Sequence, residues 1–158
     1  MSTLVRLHDA ESPAALETIR ALFLEYARSL DFNLCFQNFE QELAILPGAY
    51  GLPHGRLILC EVNGTPAGCI ALKPLEPGVC EMKRLFVRPE FRGQHLGFKL
   101  TQYIIDEARK IGYTAMRLDT VRGPMDNAIA LYRSLGFNEI APYYENPIPN
   151  ALYMELKL

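Results

Sequence analysis

The spacing of apolar positions changes period along the chain, and each change marks an element. From Thr3 to His8 polar and apolar residues alternate, which predicts a first strand with one buried face. Ser12-Pro13 then supplies an N-cap followed by proline in the first turn. Leu16, Ile19, Leu22, Phe23, Tyr26 and Leu30 recur at helical spacing, so a helix should run to about Leu30. A second, shorter helix is expected from Asn38 to Leu46, where Pro47-Gly48 stops it. The intervening Asp31-Phe32-Asn33-Leu34-Cys35-Phe36 is too apolar for a plain linker.

Arg56 to Val62 and Thr65 to Leu72 read as two strands joined by Asn63-Gly64, a pair whose tolerance of positive φ suits a two-residue hairpin. Pro77-Gly78 turns the chain again, so Val79 to Val87 is the next antiparallel strand. Leu96, Leu100, Tyr103, Ile104, Ala108 and Ile111 line one side of a helix that Gly112 closes, and Tyr113 to Thr120 follows as a strand. After Gly123-Pro124 a helix carries Ala128, Leu131, Tyr132 and Leu135 and ends at Gly136. Strands starting at Phe137 and spanning Ala151 to Leu158 complete the order β-α-α-β-β-β-α-β-α-β-β. Early hairpins and a later strand-helix-strand crossover imply a mixed sheet.

A chain of 158 residues with 49% hydrophobic and 22% charged positions is one domain's worth of globular sequence, and residues 1–158 are taken as a single unit. No apolar run reaches bilayer length, and the polar start lacks a signal-peptide profile, so a cytoplasmic protein without membrane contact is expected. The net charge of −2 gives no electrostatic footprint for nucleic acid. Cys35, Cys60, Cys69 and Cys80 lack Cys-x-x-Cys spacing, and three of them fall in strand-like runs where cysteine acts as a small hydrophobe. Buried reduced thiols are expected, with no metal, and the three histidines are too scattered to ligate zinc.

The chemistry concentrates in Val87-Arg-Pro-Glu-Phe-Arg-Gly-Gln-His-Leu-Gly97, where a strand enters a glycine-bearing turn and then a helix. Unpaired first-turn amides and the helix dipole make such a junction an anion cradle, with Arg88, Arg92 and Lys99 adding charge. The segment resembles the acyl-CoA signature of the GNAT acetyltransferases, (Gln/Arg)-x-x-Gly-x-(Gly/Ala), running from Arg92 to Gly97, with His95 where a glycine is usual. Lys83-Arg84-Leu85-Phe86-Val87-Arg88-Pro89 before it, Ala130-Leu131-Tyr132-Arg133-Ser134-Leu135-Gly136-Phe137 after it, and the element order extend the resemblance over the whole chain.

The resemblance implies an α/β (α+β) GNAT fold, a mixed and mostly antiparallel sheet splayed at its centre with helices on both faces. It also implies an acetyl-CoA-dependent N-acetyltransferase acting on a primary amine of a small molecule or peptide in a ternary complex. Backbone atoms of Leu85, Phe86 and Val87 would pair with the pantetheine arm. Arg92, Gly93, Gln94, His95, Leu96 and Gly97 would hold the pyrophosphate. Tyr132 would protonate the departing thiolate and also touch the cofactor. Glu81 matches the catalytic glutamate of some members, although Lys83 and Arg84 also stand near to pair with it. The position that often carries a cofactor-contacting asparagine is Met125 here.

Acceptor contacts are expected from Phe32, Asn33 and Phe36 of the interhelical loop, from Asp119, and from Tyr143, Tyr144 and Glu145. The tyrosines and Glu145 form either an amine clamp with a wall stiffened by three prolines or a rigid loop whose tyrosines pack on the sheet; Asp119 is either a cation holder or a turn former. A non-catalytic acyl-CoA-binding module is the alternative to an enzyme. A dinucleotide oxidoreductase lacks its Gly-x-Gly-x-x-Gly. An exposed C-terminal strand allows a homodimer.

Overall fold

The computed structural model describes residues 3–34 and 38–158; Cys35 and Phe36 of the interhelical loop lie outside the described residues. Strand β1 (Val5–Asp9) leads into α1 (Pro13–Ser29), capped where the Ser12 side chain accepts the Ala15 amide at 3.1 Å. Helix α2 (Phe39–Ala44) is shorter than its sequence pattern suggests, since Ile45 and Leu46 leave the helix ahead of a 3-10 turn at Gly48–Tyr50. The hairpin of β2 (Arg56–Val62) and β3 (Thr65–Glu76) closes at Asn63 and Gly64, both at positive φ (51° and 80°), as a primed two-residue turn requires. β3 runs four residues past the expected Leu72, because pairing with β4 (Val79–Val87) continues through Pro74 with an irregularity before Glu76.

A second 3-10 turn (Pro89–Phe91) precedes α3 (Leu96–Ile111), which Gly112 ends at φ 108°. β5 (Ala115–Val121), α4 (Asp126–Ser134), the three-residue β6 (Asn138–Ile140) and β7 (Ala151–Lys157) follow. The seven strands lie in the order β1-β2-β3-β4-β5-β7-β6, antiparallel except for the β4–β5 pair. The sheet is therefore mixed, as the hairpins and crossover imply.

Alternation along the strands sends side chains to two cores. Cys80, Met82, Met116 and Leu118 face α3 and α4, meeting Leu100, Ile104, Ile129 and Tyr132. Leu57, Leu59, Cys69 and Phe86 face α1 and α2, meeting Ile19, Leu22, Phe23 and Phe39. Each helix pair thus covers one face, and the sheet itself is the shared middle layer.

Candidate active site

β4 and β5 pair over three residues only, Val79–Glu81 against Ala115–Arg117. Past that seam neither strand bonds to the other, so the sheet opens into a wedge between Met82–Val87 and Leu118–Val121. Within the same stretch, β4 steps three residues, Lys83 to Phe86, against the two that β3 steps, Ala71 to Cys69. The extra residue is a bulge with Arg84 at φ 61°, and it turns Lys83 and Arg84 to the same side, toward α1 and α2.

On that side a cleft forms between the two strands. Tyr26, Phe32 and Leu34 close it from α1 and the loop after it. Lys83 and Arg84 line it from β4, Asp119, Thr120 and Val121 from β5, and Met125 and Asn146 complete it. Arg84 does not pair with Glu81: the bulge aims it at α2, where it meets Glu42 in two 2.9 Å hydrogen bonds and lies over the Phe39 ring at 5.2 Å. Glu81, 3% exposed, instead takes the Tyr143 hydroxyl at 2.6 Å and stands 3.6 Å from the Lys73 ammonium and 3.7 Å from that of Lys83. Lys83 is equally 3.7 Å from Asp119, whose carboxylate also accepts from Tyr144 and, at 2.9 Å, from Asn146. Burial pushes the Lys83 amine below the ordinary lysine range, and the two carboxylates oppose that shift.

Tyr143 and Tyr144, which the sequence leaves as either an amine clamp or residues packed on the sheet, have their hydroxyls engaged with Glu81 and Asp119 and are not among the cleft-lining residues. Asp119 lies inside β5 and not at its end. Glu145 is exposed and outside the cleft lining, whereas Phe32 is part of it. Tyr26, Lys83 and Asn146 were not picked out as acceptor contacts from sequence. A tyrosine on an apolar helix face and a lysine in a strand carry no local signal; only the bulge and the wedge bring them together.

Tyr132 enters from the opposite face. Its ring packs in the α3–α4 core against Phe137 (centroids 5.6 Å apart), and it is 5% exposed. Burial raises its hydroxyl above the ordinary phenol range, and its next electrostatic neighbours are Tyr26 and Asp119, both on the other side of the wedge. Burial thus favours the protonated form of the hydroxyl.

At the outer end of the wedge the chain runs from Leu85, Phe86 and Val87 into the cradle. Gly93 (φ 86°), Gln94 and His95 (φ 60°) are exposed, and no side chain caps α3; the Lys99 amide bonds the His95 carbonyl at 3.0 Å, and the amides before it are left without a side-chain cap. His95 occupies a left-handed position that glycine adopts without strain, and its ring lies at the surface. Arg92 bonds the Val87 carbonyl at 3.1 Å through Nε, leaving the rest of its guanidinium at the rim. Arg88 does not serve the cradle: Glu25 holds it in hydrogen bonds of 2.9 and 2.7 Å, and Pro66 accepts from it at 2.9 Å. Among the described residues no cluster of three metal-ligating side chains is found, and no helix is long and apolar enough to cross a membrane.

A wedge between the parallel strands thus leads from an uncapped helix N-terminus to a cleft of buried charges. Similarity to known proteins gives this build a family. The model of the Acetyltransferase (GNAT) family matches residues 16–137. An uncharacterised N-acetyltransferase of Schizosaccharomyces pombe is 45% identical over 148 residues, covering 92% of this chain and 90% of the relative. A GNAT acetyltransferase structure from Staphylococcus aureus superposes with a TM-score of 0.79 at 17% identity, covering 98% of this chain and 99% of the other. An acetyltransferase structure from Salmonella typhimurium with its cofactor acetyl-CoA gives 0.72 at 21%, covering 97% and 93%. The chain belongs to the GNAT acetyltransferase family.

Proposed function

We propose that the protein is an N-acetyltransferase that moves an acetyl group from acetyl-CoA to the primary amine of a small molecule or peptide bound in the Lys83–Asp119 cleft. The observation that carries this reading is the wedge itself, which runs from an uncapped helix at one end to charged groups at the other. Amides of residues 93–97 suit the pyrophosphate, and Leu85–Val87 offer backbone groups to the pantetheine arm. Gly97 leaves room there, since even an added Cβ would stand 3.7 Å from Leu131. The relative found with acetyl-CoA supports the choice of co-substrate.

In this reading the acceptor nitrogen, as free amine, forms a bond to the thioester carbon while the carbon–sulfur bond breaks. Tyr132 donates its proton to the departing sulfur. The proton shed by the acceptor leaves toward the carboxylates: Glu81 lies at the root of the wedge and Asp119 on its inner wall. Phe32, Tyr26 and Asn146 bound the space for the acceptor's body, and so set what fits. Calorimetric titration with acetyl-CoA, with NAD as control, followed by thiol release against a panel of small amines and peptides, tests the reading. Micromolar binding with amine-dependent thiol release is expected; absence of acetyl-CoA binding overturns it.

A further inference from the structure

We infer that Tyr143 is a positioning residue of this site, which fixes the orientation of the buried Glu81 carboxyl group; the inference rests on the N-acetyltransferase reading for its kinetic consequence. A carboxyl group only 3% exposed has few partners to hold it, so each hydrogen bond it accepts matters to where it points. The charged and polar groups around it come from three strands, the loop and the 3-10 turn before β2: Lys73 of β3, Lys83 and Arg84 of β4, Arg117 and Asp119 of β5, Tyr143 and Tyr144 between β6 and β7, and Tyr50. Arg84 is turned to Glu42, and Arg117 is bonded to Glu155 at 2.8 Å. The two lysines stand at 3.6 and 3.7 Å, beyond hydrogen-bond length. Among the described residues the Tyr143 hydroxyl, at 2.6 Å, is the hydrogen-bond donor to Glu81.

The tyrosine is itself well held. Its ring meets Tyr144 and Tyr153 at centroid distances of 5.6 and 5.3 Å, and the Arg117 guanidinium lies 5.6 Å over its face. Tyr153 in turn donates to the Tyr144 carbonyl at 2.7 Å and accepts the Asn146 amide at 2.9 Å, which ties the loop to β7. Burial and the adjacent Glu81 charge raise the Tyr143 hydroxyl above the ordinary phenol range, so it stays a donor at every working pH. The loop between β6 and β7 thereby orients a group 62 residues away in sequence, at the root of the wedge.

The test compares Tyr143→Phe with Tyr153→Phe, which loosens the same loop without touching Glu81. In protein carrying 13C-carboxyl glutamate, with the Glu81 signal assigned by Glu81→Gln, Tyr143→Phe should shift and broaden the Glu81 signal, lower kcat/KM for the acceptor about tenfold, and leave the Kd for acetyl-CoA within twofold. Tyr153→Phe should lower Tm and leave the Glu81 signal in place. An unmoved Glu81 signal in folded Tyr143→Phe overturns the inference whether or not the protein turns over an amine. Absence of thiol release by the unaltered protein counts against the enzyme reading alone. If Tyr143→Phe does not fold, the unaltered protein decides: a downfield Tyr143 hydroxyl proton that moves in Glu81→Gln supports the inference, and one that does not move sinks it.

Discussion

His95 shows how much a single backbone angle decides. At φ 60° an L-residue carries strain of about 1 kcal/mol that glycine does not, and the ring gains nothing in return because it is exposed. His95→Gly should therefore raise stability by no more than about 0.5 kcal/mol in urea denaturation, because the extra chain entropy of glycine cancels much of the relieved strain. Acetyl-CoA affinity should stay within a few-fold; a large gain would show that the ring obstructs the cradle. Tyr132 offers the complementary case, a residue whose ring is structural and whose hydroxyl is not. Tyr132→Phe keeps the contact with Phe137 and should retain acetyl-CoA binding while kcat falls by a factor of about a hundred. Turnover at the original rate would remove Tyr132 as proton donor.

Among the elements, β3 and β4 carry the most consequential geometry. Gly68 faces Val87 across the pair, and a Cβ there would lie 2.5 Å from the Phe86 carbonyl oxygen, which is backbone and has no means of yielding. Gly68→Ala should destabilise the protein by about 2 kcal/mol or more, visible as a lower urea midpoint, and should disturb the bulge that sets Lys83 and Arg84. Elements governed by nearby residues were legible from sequence: Asn63-Gly64 makes its hairpin, Ser12 caps α1, Gly112 ends α3, and Arg92 to Gly97 forms the turn into α3. The bulge was not legible, because Arg84 adopts a positive φ that its residue type does not announce. Nor was the cleft. Its contacts join Glu81 to Tyr143 and Asp119 to Asn146, pairs 62 and 27 residues apart, and only the sheet order β4-β5-β7 makes them neighbours.

Across the whole molecule, the two cores leave the described thiols out of reach of solvent. Cys60, Cys69 and Cys80 are each 0% exposed, and burial lifts the Cys60 thiol to about 11, Cys80 to about 12 and Cys69 higher still. Iodoacetamide at pH 8 followed by peptide mapping should find these three unmodified in the native protein and modified after denaturation. Native labelling of any of them would mean that a core opens. The same two-sided build places unusual demands on the seam between β4 and β5. Seven residue pairs join β3 to β4 and seven join β5 to β7, whereas three join β4 to β5. Fewest pairs in the middle of the sheet cross that seam, so flexing of the half-sheets should gather there, as with two boards sharing a short hinge. Whatever fills the wedge acts as a splint across that hinge, converting two coupled plates into one elastic body.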